Sequence, residues 1–305
     1  MTTPPNNRTN GVAGFTLLEL LVVLVILTVI ARTAVVALDG AASEEWRSST
    51  IRGLEAAETA ILGRPDLKQP GDLPWVEGFV ADVGRLPRVD GDDVARGDSF
   101  AELWKLGALN PYSLQTALGD PQVRMPVGWR GPYLRLGVGK TAWFDGFGRA
   151  FEPLDANGEV APDGDPIYGV RSGAEAGADD LVEDLVVSFV VDGIERHVGT
   201  VPVTVIPAAG GGGTIVLRLY GPEDGVLDTL QQLDQLVVDG GGAPEPLFFA
   251  FENVSIGHRM IRAYQSASAP ARDDDPIPVG IRSDVVPVAV VPGGVPMITL
   301  DLRNP

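Results

Sequence analysis

One run of residues constrains this chain more than any other: FTLLELLVVLVILTVIARTAVVAL, positions 15–38. Between Leu20 and Ala31 only Thr28 is not plainly apolar, and Arg32 is the single basic interruption before Leu38. As a helix rising about 1.5 Å per residue, this run is long enough to cross the hydrocarbon core of a bilayer. The residues before it, MTTPPNNRTNGVAG, are polar, carry Arg8 and end in small side chains. A secretory signal places its small-residue cleavage site after the apolar stretch. Here that site comes first, so cleavage at it would leave the apolar helix on the mature chain.

Glu19 stands five residues into the run. Desolvating a charge at such a depth costs several kcal/mol, so a carboxylate there calls for a compensating partner. The segment Gly14-Phe15-Thr16-Leu17-Leu18-Glu19, followed by the apolar stretch, resembles the cleavage and methylation signature of type IV prepilins and of type II secretion pseudopilins. The resemblance implies that prepilin peptidase cuts after Gly14, that Phe15 becomes an N-methylated first residue, and that Glu19 guides assembly. The new α-amino group at Phe15 of a neighbouring subunit, packed with an axial offset, is then a natural counter-ion for Glu19 and would set the register of a polymer.

Beyond Leu38 the pattern DGAASEEWRSSTIRGLEAAETAIL keeps Trp46, Leu54, Ala57 and Ile61 near helical spacing with charges between them. Gly40 and Gly53 weaken a helix by about 1 kcal/mol each relative to Ala, and Gly63-Arg64-Pro65 should stop it. One helix from Phe15 to about Leu62 is predicted, its second half packed on a globular head.

With 38 Gly, 25 Pro and only 7% aromatic residues, the remainder reads as short strands cut by turns. GDLPW, VDGDD, LNPYS, GDPQ, DANGE and PDGDP all carry turn chemistry. Helical patches are expected at Trp75–Val83 and Ser99–Leu106, and strands near Tyr133–Leu136 and Leu185–Val191. Three pieces of this region resemble the head of the major pseudopilin of type II secretion: Phe79 to Pro87 (FVADVGRLP), Trp129 to Leu134 (WRGPYL), and Asp145 to Phe151 (DGFGRAF). The third departs from that family's D-P-W-G-x-P-Y, having Gly146, Phe147, Ala150 and Phe151 in place of Pro, Trp, Pro and Tyr.

In the family it resembles, the following Gly- and Asp-rich loop binds calcium. The stretch from Ser172 to Asp184 stands at the corresponding place, and Asp179, Asp180 and Asp184 are the expected ligands. Calcium takes six to eight oxygens from carboxylates and carbonyls on a flexible loop. The same stretch reads equally as a solvated acidic loop without an ion, since it has no EF-hand spacing.

Residues 193–305 go beyond the resemblance. Val201–Ile206, Thr214–Tyr220, Pro246–Phe251, Met260–Tyr264, Val285–Val291 and Met297–Leu302 are strand-like and separated by Gly, Pro and Asp turns, as in a β-sandwich. The glycine runs at 210–213 and 240–242 lack the Lys-Ser/Thr of a phosphate loop and read as hairpins or linkers.

A net charge of -18 with a pI near 4.4 argues against nucleic acid and fits cations as companions, though the same acidity reads more simply as what keeps a secreted or salt-exposed protein soluble. Without cysteine, disulfides, thiolate metal sites and a Cys nucleophile are excluded. Neither His197 nor His258 sits in an H-E-x-x-H or G-x-S-x-G setting, so the expectation is a non-enzyme.

The expected fold class is α+β: a long N-terminal helix with a transmembrane first half, a small antiparallel-sheet head, and a C-terminal all-β sandwich-like domain. The expected divisions are a leader at 1–14, the assembly helix at 15–63, the head at 64–192 and the β extension at 193–305. The implied partners are prepilin peptidase, other pilin or pseudopilin subunits, an assembly platform and a membrane, with the leader cytoplasmic and the C-terminal domains periplasmic. Two roles fit: a pseudopilin of a type II secretion system, or a minor pilin whose β domain caps the filament or adheres.

Overall fold

The computed structural model describes residues 17–64, 67, 76–90, 98–172, 185–208, 213–237, 245–267 and 280–303. It is α+β, with 39% of the described residues in strands and 23% in helices. Helix α1, Leu17–Leu62, runs unbroken for 46 residues, and two compact units meet within it, 1–48 and 49–305.

In the second unit α1 buries Leu54, Ala57 and Ile61 along one face, the i, i+3, i+7 repeat of an amphipathic helix. Trp46, in the first unit, is about half exposed. Gly63 stops the helix as expected: at φ +76 its N–H bonds the Thr59 carbonyl at 2.9 Å, a left-handed cap. A Cβ there would fall 1.4 Å from the Glu77 carbonyl oxygen, so the position admits no side chain.

Around this face lies the first hydrophobic core. Phe79, Val80 and Val83 come from the short helix α2, Phe79–Val83, and Phe100 and Leu103 from a 3₁₀ turn at Ala101–Leu103. Trp143 stacks on Phe151 at 4.0 Å and meets Phe100 edge-on at 5.2 Å. The strands beside this core are β1 (Ser113–Thr116) and β2 (Arg124–Val127), which form a hairpin, then β3 (Phe151–Leu154), β4 (Gly169–Ser172) and β5 (Val186–Ser188), which form an antiparallel sheet. A two-residue ribbon, β6 (Val190–Val191) with β7 (Ile194–Glu195), follows.

The remaining strands are β8 (Val198–Ile206), β9 (Gly213–Glu223), β10 (Val226–Val237), β11 (Leu247–Ser255), β12 (Gly257–Ser266), β13 (Ile281–Arg282), β14 (Val286–Val290) and β15 (Ile298–Asp301). One sheet runs β10-β9-β12-β13 with β14 also on β12; the other runs β11-β8-β15, where β15 is parallel to β8. Val201, Val203 and Val205 of β8 share a second core with Ile215, Leu217 and Leu219 of β9 and with Ile261 and Ala263 of β12. This period-two alternation on facing strands is the sandwich pattern.

Several local expectations are corrected. The helix expected at Trp75–Val83 begins only at Phe79, because Gly78 stands at φ +128, where a Cβ would lie 2.6 Å from the Gly63 nitrogen; its end at Val83 is as expected, with Gly84 at φ +93 as a left-handed cap. Trp75 itself lies outside the described residues. Ser99–Leu106 shortens to the 3₁₀ turn. Tyr133–Leu136 forms no strand, since the Tyr133 and Leu134 N–H groups both bond the Leu103 carbonyl and have no ladder partner. A 12-residue strand, β10, lies where no element was expected.

Candidate functional site

The N-terminal part of α1 is the first candidate. Leu17 through Leu38 are exposed throughout, and this helix is long and apolar enough to cross a membrane, with none of that stretch buried inside the fold. Its polar side chains are accommodated locally: the Thr28 hydroxyl donates to the Leu24 carbonyl at 2.7 Å and Thr33 to Ile30 at 2.9 Å. Such back-bonding satisfies a hydroxyl that would find no water in lipid. Glu19 occupies the first turn of α1 and is exposed. There its negative charge faces the positive end of the helix dipole, a favourable placement. Gly14 and Phe15 lie outside the described residues, as do Asp179, Asp180 and Asp184.

Two of the motifs come together in the second unit. Asp82, from the first, is buried, and its carboxylate accepts from Arg130 Nε and from the Tyr133 hydroxyl, each at 3.0 Å, both from the second. Trp129 Nε1 donates to the Glu102 carbonyl at 2.9 Å, pinning the segment to the 3₁₀ turn. Burial pushes the Asp82 carboxyl up from its ordinary value, with Arg130 and Tyr133 working against that rise. Burial likewise pushes the Tyr133 phenol up, so it stays a proton donor. Arg85 of the first motif grips Glu102 with two bonds of 2.9 Å and also pairs with Asp224, at the β9–β10 turn.

In the third motif Asp145 accepts from the Phe147 and Arg149 N–H groups at 2.9 and 2.8 Å, and from the Ser172 hydroxyl at 2.5 Å. The next residue, Gly146, donates to the Thr50 hydroxyl on α1 at 3.0 Å. These residues hold the head together around α1, so the motifs act as a scaffold.

Sequence reasoning did not find a deeply buried ion pair that joins the head to the sandwich. Arg262 of β12 donates to both Asp120 oxygens at 3.0 and 2.8 Å, with side chains only 7% and 2% exposed. Tyr264 donates to the same carboxylate and shares a 2.7 Å bond with the Tyr220 hydroxyl. Arg259, fully buried, bonds the Ser255 hydroxyl and the His258 and Ile256 carbonyls, and desolvation pushes its guanidinium down to about 9. The only available signal was two arginines set among the apolar residues of a strand, in GHRMIRAYQS.

His197 lines a cleft of about 670 Å³ with Arg85, Arg88, Tyr168, Glu195 and Asp224. Its Nε2 is 3.4 Å from Glu195, its Nδ1 is buried without a hydrogen-bond partner, and burial pushes the imidazole down. Among the described residues no group of three His, Asp or Glu could hold a metal ion.

Residues 9–31 match the prokaryotic N-terminal methylation motif. That match spans Gly14, Phe15 and Glu19 and the first half of the apolar run, so the motif and the membrane-capable helix coincide, as in a type IV pilin-like protein processed and methylated at its N-terminus. No curated protein and no solved structure matches the chain.

Proposed function

We propose that this chain is a pseudopilin-type subunit of a type IV pilin-like filament serving type II protein secretion, cut by prepilin peptidase after Gly14 and N-methylated at Phe15. The observation that carries the reading is the overlap of the methylation motif at 9–31 with a 46-residue helix whose apolar part is wholly exposed. An exposed apolar helix of this length needs either lipid or copies of itself around it. Before assembly it holds the subunit in the inner membrane with the leader in the cytoplasm and the rest in the periplasm. After assembly, the Phe15 amine of one copy neutralises Glu19 of the next.

What supports the pseudopilin role is the way Asp82, Arg130 and Tyr133 link two of the head motifs beside α1. A large sandwich beyond that head favours a second reading, a minor pilin at the tip of the filament, because bulk is tolerated at an end more easily than at every repeat.

The test is N-terminal analysis of the membrane-extracted protein by mass spectrometry. A methylated Phe15 is expected, and loss of prepilin peptidase should leave the leader attached. A mature chain starting at Met1, or beyond Leu38, overturns the reading. Recovery with secretin-associated pseudopili, as opposed to sheared surface pili, separates the secretion role from the pilus role.

A further inference from the structure

The cleft lined by His197, about 670 Å³, lies between the head and the sandwich, and the filament reading makes no use of it. Its volume falls within the range of about 300–1,000 Å³ that small-molecule sites occupy. Arg88, Pro166 and Tyr168 line it from the head, and Gln231 and Asn253 line it from strands β10 and β11. Neither sign of charge dominates the wall. Arg85 is committed to Glu102 and Asp224, which leaves Arg88 to share the cleft with Glu195 and Glu223. An anion would meet the carboxylates and a bare cation the guanidinium, and no group of three that could hold a metal ion occurs among the described residues.

Several polar groups of the wall are left without a partner in the chain. His197 is nine-tenths buried, and its Nδ1 has no hydrogen-bond partner. With Nε2 3.4 Å from the Glu195 carboxylate, the neutral ring keeps its proton on Nε2, and Nδ1 is an acceptor. Tyr168 meets that ring edge-on at 5.7 Å, and its hydroxyl bonds nothing among the described residues. Asn253 is exposed, with its side-chain amide likewise unbonded among the described residues. It stands at φ +54 in a bulge where Glu252 and Asn253 oppose Thr200 alone. A bulge re-aims a side chain, and non-glycine residues held in the left-handed region cluster at ligand clamps.

We infer that this cleft binds a short neutral saccharide, with Tyr168 against one sugar face and Arg88, His197 and Asn253 on the hydroxyls, whatever the filament the subunit enters. A sugar ring presents C–H groups on its face and hydroxyls around its edge. Tyr168 and Pro166 offer the face an apolar wall. Each hydroxyl both donates and accepts, so one ligand answers the Arg88 donors and the Glu195 and His197 acceptors together. Gln231 adds a further acceptor, because its Nε2 is already given to the Glu252 carbonyl at 2.6 Å and its Oε1 is left.

The test is saturation-transfer NMR on the full chain in a detergent without a sugar head group, with maltotriose, cellotriose and chitotriose as probes at millimolar concentration. Transfer to the ring C–H protons of at least one trisaccharide is expected. It should fall several-fold in Asn253→Gly, which removes the amide while keeping a residue at ease with positive φ, and in Arg88→Ala. Tyr168→Leu should abolish it. Because Tyr168 also packs on the first core, the two milder variants decide the matter should that one misfold. No transfer to any of the three sugars overturns the assignment, as does transfer that survives unchanged in both Asn253→Gly and Arg88→Ala. Displacement of the sugar by phosphate or by trilysine also overturns it, since the cleft would then be an anion or a cation site.

Discussion

Asp120→Ala is the sharpest probe of how the head and the sandwich are joined. The Asp120 carboxylate, on the β1–β2 connection, takes both Arg262 bonds, the Tyr264 hydroxyl and the Gln122 N–H at 3.1 Å. Removing it leaves a guanidinium with a 7% exposed side chain that retains Ser283 and Gln122 as acceptors but has no counter-charge. Breaking one partner out of a buried pair costs about 3–5 kcal/mol, because the remaining charge stays desolvated. In a unit of this size each kcal/mol moves the melting temperature by about 2–4 °C, so a fall of about 6–20 °C is expected. The assay is urea and thermal denaturation of the full chain in detergent, followed by the fluorescence of its five tryptophans. Pairing Asp120→Leu with Arg262→Met should recover most of the loss, since an apolar pair carries no desolvation penalty. A cost below about 1 kcal/mol for Asp120→Ala, or strict additivity in the double variant, would refute the claim that this pair clamps the two parts.

Glu19→Ala should insert and be processed normally yet fail to enter filaments, measured by sedimentation of sheared material; normal assembly would remove the role given to Glu19. Gly53→Ala should destabilise by about 1–3 kcal/mol in spite of the higher helix propensity of Ala, because the new Cβ meets Phe151 Cζ at 2.8 Å. Gly40→Ala, with nothing within 4 Å, should instead be neutral or stabilise by up to about 1 kcal/mol; the two are compared by urea midpoints. His197 is held below the usual imidazole value, chiefly by burial, so the folded state prefers it neutral. Its stabilisation is therefore complete above the unfolded value of about 6.5 and is lost as pH falls below it. His197→Phe should flatten the fall in melting temperature between about pH 7 and 5, and an unchanged slope would assign the acid sensitivity elsewhere.

The parts of the fold legible in the sequence are those that one periodicity encodes. α1 could be read because its apolar run, its Leu54–Ala57–Ile61 face and its Gly63 stop all agree. β8 and β9 could be read because their β-branched and leucine residues alternate. β10 could not: in VLDTLQQLDQLV the leucines recur every third residue, at 227, 230, 233 and 236, a spacing that belongs to neither a strand nor a regular helical face. The structure resolves the conflict with a register shift between Thr229 and Gln231, after which Leu233 packs against the sandwich core. Glu19 was legible because a charge in an apolar run is conspicuous. Asp120 and Arg262 were not, because 142 positions separate them and each alone reads as an ordinary surface charge.

That distance in sequence also explains why the C-terminal region reads as an appended module while residues 49–305 form one compact unit. Strand β12 works on both faces. Ile261 and Ala263 fill the sandwich core, while Arg262 and Tyr264 face the β1–β2 hairpin, whose Val123, Met125 and Val127 pack with Tyr220 and Leu227. At its start, Arg259 threads between two glycines: a Cβ on Gly221 would lie 2.4 Å from Arg259 Cδ, and one on Gly257 would lie 2.7 Å from Arg259 Nη1 and 2.8 Å from Ala81 Cα of α2. Ile256, just before β12, completes the core of the head. Deleting residues 193–305 would thus take a side chain out of the first core, uncover the hairpin and strip Asp120 of its cation. Force applied to the sandwich would therefore reach the head through packed side chains such as Ile256 and the Asp120–Arg262 pair.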